Sequence, residues 1–384
     1  MTDVNAISYI EENREWTINL LQELVRIPSP VGEEQKIGEY IKNVLKEIGL
    51  SAEKQMVQKN RFNVVAKFKK SAEKEKILLL IGHMDTAPLS EGWTHKPFSG
   101  DIEDGKLYGL GSSDMKGGIA AFITAIKTLK DLSIPIKGNI VFVAVVDEEA
   151  YSKGVLKFLD SGVKADMAIL GEPSFDKAYL GCMGKVLVEL VFKGKSAHAS
   201  VPELGINAID DAAKFINSLK KLKFLRHDKL GKGNYCILKI EGGYKRYSLV
   251  VPEETKLIMN RHIVPGESKE TVVNDLKSLI ESINIRSKVE IKVRPPYYPP
   301  YIISKNEPVV KALERAYNKV VGKRINFGYS RSVCDANYMV AQGIPTVVFG
   351  PSGEKEHAPD EYVIIEQVLL ASKVYTLMIR ELLS

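Results

Sequence analysis

Apolar residues recur every three to four positions in two segments near the N-terminus. Leu20, Leu24 and Ile27 fall on one helical face, and Pro28 ends that segment. The stretch 37–48 repeats the pattern, and Gly49 follows it as a candidate C-cap. The pattern predicts two amphipathic helices.

Short apolar runs of a different kind follow. They are bounded by glycine, proline or charged residues, which is typical of buried strands, and helical patterns such as 119–129 lie between them. The predicted strands are 62–68, 77–81, 140–146, 167–170 and 346–349. This alternation predicts an α/β/α sandwich.

The stretch 185–294 has its own order of elements. Its patterns give strand, helix, two strands, helix and strand, which is the βαββαβ or ferredoxin-like unit. A proline-rich run, 295–300, is typical of a stiff return linker. We therefore predict a discontinuous catalytic domain, 1–182 and 297–384, with a small domain inserted at 183–296.

Polar residues follow the predicted strands where those strands end. His83 comes directly after one strand, with Asp85 two positions on, and ligands of open α/β sheets gather at the carboxyl ends of strands. If His83 binds a metal, Asp85 is suited to orient its second ring nitrogen. Asp114 stands in a glycine-rich turn before a helix, where a single acid is ordinarily only a cap.

Further strand ends carry acids and a second histidine. Glu148 and Glu149 close one strand on opposite sides, so one can ligate a metal while the other acts as a base. Glu172 follows another strand, and His357 follows the last. Each motif alone has an ordinary explanation in capping or solvation, but their conjunction predicts a site for two ions such as Zn²⁺.

Composition excludes several classes of protein. The hydrophobic fraction of 45% and charged fraction of 27% are typical of a globular domain, and no apolar run reaches the length of a membrane span. The net charge of +6 is spread along the chain, which favours solvated helix faces over a nucleic-acid surface. Without a secretory signal pattern, and with three scattered cysteines, we expect a cytoplasmic protein with reduced thiols.

Taken in order, these motifs resemble the acetylornithine deacetylase, succinyl-diaminopimelate desuccinylase and carboxypeptidase G family of di-zinc metallopeptidases. The resemblance covers nearly the whole chain and implies two Zn²⁺ per subunit, with Co²⁺ or Mn²⁺ as substitutes. It implies one zinc ion held by His83, Asp114 and Glu172, and the other held by Asp114, Glu149 and His357. It also implies a cis peptide bond after Asp114.

The same resemblance assigns the remaining roles. Glu148 would be the general base and Asp85 the partner of His83, while His198 would stabilise the oxyanion in the other subunit of a homodimer formed through the inserted domain. Arg261 would bind the substrate carboxylate, although an exposed strand charge explains it nearly as well. Two stretches depart from the family pattern, Ser248-Leu249 before the arginine strand and Cys182-Met183-Gly184-Lys185 at the start of the lid, and the second argues against desuccinylase specificity.

The function that follows is hydrolysis of the amide bond of N-acyl amino acids through metal-activated water, as in acetylornithine deacetylase. An exopeptidase acting on short peptides with a free carboxylate is the alternative within the same chemistry. Two hypotheses belong to other classes of function: a catalytically idle metal-binding dimer and a basic nucleic-acid binder. We expect neither a nucleic-acid nor a membrane partner.

Overall fold

The computed structural model describes residues 3–68, 75–246 and 248–384. Its α-helices are, in chain order, α1 Asp3–Glu12, α2 Arg14–Arg26, α3 Gln35–Glu47, α4 Gly117–Asp131, α5 Lys153–Asp160, α6 Ala208–Ser218, α7 Lys269–Glu281, α8 Pro308–Val321, α9 Ala336–Ala341 and α10 Ile365–Leu382. Its strands are β1 Ser51–Gln58, β2 Arg61–Phe68, β3 Ile77–His83, β4 Ile102–Glu103, β5 Lys106–Tyr108, β6 Asn139–Val145, β7 Met167–Leu170, β8 Lys177–Cys182, β9 Gly184–Lys193, β10 Arg226–His227, β11 Gly231–Lys232, β12 Asn234–Gly242, β13 Glu254–Ile263, β14 Lys288–Tyr298, β15 Tyr301–Ile302, β16 Asn326–Ser330, β17 Thr346–Val348, β18 Gly353–Glu354 and β19 Tyr362–Ile364.

The chain divides into two compact units. Unit 1 comprises Met1–Leu180, Ile303–Tyr329 and Cys334–Ser384, and unit 2 comprises Gly181–Ile302 and Ser330–Val333. Among the described residues, no helix combines the length and the apolar character that crossing a membrane would require.

Unit 1 is built on a mixed sheet in the order β1-β2-β6-β3-β7-β17-β8. The central strands β6, β3, β7 and β17 run parallel to one another, so their carboxyl ends lie at the same edge of the sheet. They are buried along nearly their whole length, as expected for continuous apolar runs covered on both faces. Helices α4, α8 and α10 pack together and contact β3, β7 and β17, whereas α3 and α5 contact β1 and β2.

A small second sheet in unit 1 has the order β18-β19-β5-β4. Its strands flank two segments that contain predicted metal ligands. The turn that carries Asp114 follows β5, and His357 lies between β18 and β19. Because β19 pairs with β5, the two segments are brought together although they are far apart in the sequence.

Unit 2 has the predicted βαββαβ order, β9-α6-β12-β13-α7-β14, with an antiparallel sheet in the order β12-β13-β9-β14. One face of this sheet and its two helices form a separate apolar core, in which Val188, Phe192, Phe215, Leu257 and Leu276 are fully buried. The unit therefore has the core of an independent domain.

The division differs from the predicted boundaries at the return to unit 1. The predicted linker is partly strand, because β14 runs on to Tyr298 and pairs Tyr297 and Tyr298 with β9. An irregularity in register between Arg294 and Tyr297 accommodates the prolines that cannot donate to the ladder. The short segment Ser330–Val333 also joins unit 2, which the sequence analysis did not foresee.

Candidate metal centre

Four neighbouring strand ends bring the predicted ligands together. His83 is the last residue of β3, the segment 147–149 follows β6, Glu172 follows β7, and the chain that leaves β17 leads to His357. Asp114 joins them from the turn Ser112–Lys116, in which the backbone of Asp114 itself is non-helical. Residues from five parts of the sequence therefore meet at the carboxyl edge of the central sheet.

The first half of the site is centred on His83. Its Nε2 atom lies 3.0 Å from Asp114 Oδ1 and 3.7 Å from Glu172 Oε2. Ligand atoms of His83, Asp114 and Glu149 lie within 4.8 Å of one another, as do those of His83, Glu148 and Glu172. This spacing allows several of these atoms to bind one ion together.

The second half of the site is centred on His357. Its Nε2 atom lies 3.1 Å from Asp114 Oδ2 and 2.7 Å from Glu149 Oε1. The two oxygens of Asp114 therefore face two different histidines. A carboxylate oriented in this way could contribute one oxygen to each of two ions.

The pKa values of the site's ionisable groups reflect the negative charge collected there. Hydrogen bonds to Asp114 and Glu149 raise the pKa of His357 to about 11. Burial opposes the charge on His83, but Glu172 and Asp114 outweigh it and raise the pKa of His83 well above its usual value. Burial raises the pKa of Glu172 to about 8. Crowded carboxylates in a buried site need compensating positive charge.

The chemistry of the donors fits a first-row divalent metal. The site offers imidazole nitrogens and carboxylate oxygens without a thiolate, which suits Zn²⁺ and its close substitutes. Glu172 Oε1 is buried and has no hydrogen-bond partner among the described residues. A bound cation accounts for such an orphaned oxygen more readily than packing does.

Comparison with known proteins settles the family. The model of peptidase family M20/M25/M40 matches residues 79–381. The chain belongs to that family. It is therefore a metal-dependent hydrolase of amide bonds with the mixed-sheet M20 fold.

Named M20 relatives span nearly the whole chain. An N-formyl-4-amino-5-aminomethyl-2-methylpyrimidine deformylase from Halalkalibacterium halodurans is 26% identical and aligns over 98% of this chain and 96% of its own. A succinyl-diaminopimelate desuccinylase from Hahella chejuensis is 26% identical over 96% of this chain and 97% of its own. The solved structure of a tripeptidase from Staphylococcus aureus has a TM-score of 0.79 and 26% identity, covering 96% of this chain and 98% of that one.

Asp85 contacts His83 through a different atom from the one that the sequence predicts. In this M20 chain the partner of His83 Nδ1 is the main-chain oxygen of Asp85, at 2.9 Å, whereas the Asp85 carboxylate lies 3.9 Å from the same atom. Because a carbonyl only accepts, Nδ1 donates and Nε2 is left to face Asp114. The Asp85 carboxylate instead accepts the backbone N–H groups of Glu148 and Glu149, at 3.2 and 3.0 Å.

Glu148 and Glu149 have different neighbours, although both lie in the turn after β6 and not on the strand itself, so the predicted strand alternation is not the cause. Glu149 contacts His357, while Glu148 is grouped with His83 and Glu172. Burial raises the pKa of Glu148 well above its ordinary value, and Glu172 and Asp335 add to the effect. A carboxyl with a raised pKa beside a metal site is suited to proton transfer.

The turn that carries Asp114 also contains the expected cis peptide bond, Asp114-Met115.

A buried ion network next to Glu148 has no counterpart among the residues predicted from the sequence. Arg61 contacts Glu34, and its guanidinium lies 2.7 Å from Asp147 Oδ1. A lone arginine at the start of a strand gives no sequence signal for such a contact.

His198 and Arg261 belong to unit 2. His198 is exposed, and its Nδ1 accepts the backbone N–H of Ser200 at 3.2 Å, so Nε2 carries the proton of the neutral ring. Arg261 is fully buried; its guanidinium lies 2.8 Å from Glu267 and 3.1 Å from Asp275 and stacks over Phe224. Its role as the substrate's carboxylate partner stays a prediction, since a substrate would compete with two carboxylates already in contact.

Proposed function

We propose that this enzyme hydrolyses the amide bond of N-acyl amino acids, as an acetylornithine deacetylase does, with two zinc ions at the candidate centre. His83, Asp114 and Glu172 would hold one ion, and Asp114, Glu149 and His357 the other. The observation that carries the proposal is the orientation of Asp114, which turns one carboxylate oxygen to His83 and the other to His357, at 3.0 and 3.1 Å.

When bound, the ions supply Lewis acidity, which lowers the pKa of water to about 7 and polarises the amide carbonyl. Glu148 accepts the proton of the attacking water and passes it to the leaving amine. Asp85 holds the backbone of Glu148 in place through its carboxylate. His198, with its proton on Nε2, would donate to the oxygen of the tetrahedral intermediate.

The choice of an acyl amino acid rests on the relatives that match over nearly full length. The deformylase and the desuccinylase are both named for removal of an acyl group. The tripeptidase structure favours the second candidate, an exopeptidase acting on short peptides with a free carboxylate. Both functions require the same cage and the same base, and they differ only in the substrate.

A chelation and add-back assay across a substrate panel tests the proposal. The protein is stripped with a chelator and reloaded with Zn²⁺, Co²⁺ or Mn²⁺, and is then given N-acetyl, N-formyl and N-succinyl amino acids beside di- and tripeptides. We expect metal-dependent release of the acyl group. Turnover of peptides alone would establish the exopeptidase instead, and no turnover with metal bound would leave an idle metal-binding protein.

Metal uptake should release protons. His357 in the metal-free protein has its pKa raised to about 11, so it is protonated at neutral pH, whereas a metal ligand must be neutral. Metal affinity should therefore fall as pH falls. Calorimetric titration with Zn²⁺ in buffers of different ionisation enthalpy measures the protons released.

A His227→Gln variant is the control for this titration, because His227 lies in unit 2 on β10 and is not among the proposed ligands. It should release as many protons as the wild type, whereas His357→Gln should release fewer. Heats that do not depend on the buffer would contradict the expectation.

We further propose that two copies associate through unit 2. Strand β12 is an edge strand of its sheet, and Leu238 and Ile240 on it are 56% and 48% exposed. An exposed apolar edge is a template for pairing with another strand. Leu238→Glu should shift the protein from dimer to monomer in sedimentation at micromolar concentration, whereas Val4→Glu, at an exposed site on α1, should not.

Activity provides a second measurement on the same variants. If His198 acts across the dimer, Leu238→Glu should lose activity to the same degree as His198→Ala. A fully active monomer would contradict the proposed role of His198 in the partner's site.

Replacing Arg261 with Met separates its two possible roles. The change removes one partner from a buried ion pair, so we expect the free energy of unfolding to fall by about 3 kcal/mol. Urea unfolding measures this loss. If Arg261 also binds the substrate carboxylate, KM should rise for an N-acyl amino acid but not for its carboxamide; an unchanged KM would leave only the stabilising role.

A further inference from the structure

One buried carboxylate outside the predicted site holds the turn that carries Asp114. Glu361 is 1% exposed. Its Oε2 atom accepts the backbone N–H of Gly111 at 2.9 Å, and its Oε1 atom accepts those of Ser113 and Asp114 at 2.9 and 3.1 Å. Hydrogen bonds from N–H groups to a carboxylate are stronger than neutral ones, so the turn is firmly fixed from one side.

A main-chain hydrogen bond also joins Glu361 to the Asp114 turn. The carbonyl of Glu361 accepts the N–H of Gly109 at 2.9 Å. Gly111 has a φ of 79°, and a Cβ atom there would lie 2.5 Å from a Thr86 methyl group. The turn can therefore take this path only with glycine at 111, and Glu361 meets the N–H groups that the path exposes.

Glu361 and the proposed ligand His357 lie on the same short segment. Asp360, between them, accepts the backbone N–H groups of Thr94 and His95 at 2.7 and 3.0 Å. The segment is thus fastened to two other parts of unit 1. This segment places His357 beside one oxygen of Asp114. Through Glu361 it also accepts a hydrogen bond from the backbone N–H of Asp114.

We propose that Glu361 is a positioning residue that sets the orientation of Asp114 between the two metal ions. The inference rests on the proposed function, in which Asp114 is the bridging ligand. It adds a residue that touches neither metal nor substrate. The physical reason is that a bridging carboxylate must direct both oxygens correctly at once, and only a fixed backbone ensures this.

Replacing Glu361 with Gln tests the proposal. The amide keeps the size of the side chain but turns an NH₂ group toward backbone N–H donors. We expect the affinity for the more weakly bound metal ion to fall by about 10- to 100-fold, as measured by Zn²⁺ and Co²⁺ titration of the stripped protein. We also expect the visible absorption spectrum of the Co²⁺ form to change, and kcat to fall with little change in KM.

Asp211→Asn is the matched control. It alters a buried carboxylate that also accepts two backbone N–H groups, those of Arg286 and Ser287, but Asp211 lies in unit 2 and not on the His357 segment. It should retain the wild-type metal affinity and Co²⁺ spectrum. If Glu361→Gln does not fold, Glu361→Asp keeps the charge with a shorter reach, and it should show the same changes to a smaller degree.

The outcomes distinguish this inference from the proposed function. Wild-type metal affinity and Co²⁺ spectrum in the folded Glu361 variant, with only a lower melting temperature, would reduce Glu361 to a structural residue and overturn the inference. Asp114→Asn is measured alongside. If that variant keeps both ions, the bridge itself is wrong, whereas loss of an ion there but not in the Glu361 variant removes only the present inference.

Discussion

Replacing Glu148 with Gln is expected to lower kcat by about 10²- to 10⁴-fold, which is the contribution of a positioned general base. The amide has the shape of the carboxylate but cannot accept the proton of water. Glu149, His83 and Asp114 keep their contacts with one another, so the metal content should stay at the wild-type value. Steady-state kinetics and elemental analysis of the same preparation measure the two quantities.

Glu91→Gln is the control for this experiment. It makes the same chemical change at an exposed position in the loop after β3, and it should leave both kinetics and metal content unchanged. A Glu148 variant that keeps its metal and remains fully active would remove Glu148 from the mechanism. Loss of metal in that variant would instead assign Glu148 to the ligand set.

Replacing Asp114 with Asn should have an effect of a different kind. Asp114 is the residue whose two oxygens face His83 and His357, and the change removes a negative charge shared by both proposed ions. We expect loss of at least one metal ion per chain and a loss of turnover greater than the roughly 10- to 100-fold typical of residues that only support a ligand. Elemental analysis after dialysis and kinetics at added Zn²⁺ measure both.

Asp104→Asn is a suitable comparison for that variant. Asp104 is exposed and has a φ of 48°, a conformation that Asn tolerates as well as Asp does. It should keep the wild-type metal content and turnover. Retention of two ions in the Asp114 variant would show that another carboxylate forms the bridge.

Much of the candidate site could be predicted because the proposed ligands follow local patterns. His83, Glu149 and Glu172 lie within a few residues of the ends of apolar runs, and apolar strands that alternate with helices along an α/β chain run parallel, with their carboxyl ends at one edge. The structure places β6, β3, β7 and β17 side by side. Placing these residues at one edge of the sheet therefore requires only the period and length of each apolar run, and both are properties of the sequence.

The residues around Arg261 in the sequence already indicate that its side chain is buried. Residues of a strand alternate between its two faces, so Arg261 shares a face with Leu257, Met259 and Ile263, which are fully buried in the core of unit 2. That alternation already favours burial against helices over an exposed substrate contact. The ion partners Glu267 and Asp275 could not have been named from it.

Hydrophobic period and strand-end position are local properties, and from them the sequence predicts the fold class, the βαββαβ insertion and the residue types of the candidate metal centre. Which atoms meet depends on how the chain folds. Asp114 lies beside His357 and under Glu361 because β5 pairs with β19, and Asp85 turns its carbonyl to His83 and its carboxylate to the Glu148 turn. Such contacts join residues far apart along the chain or depend on side-chain direction, and neither leaves a periodic pattern in the sequence.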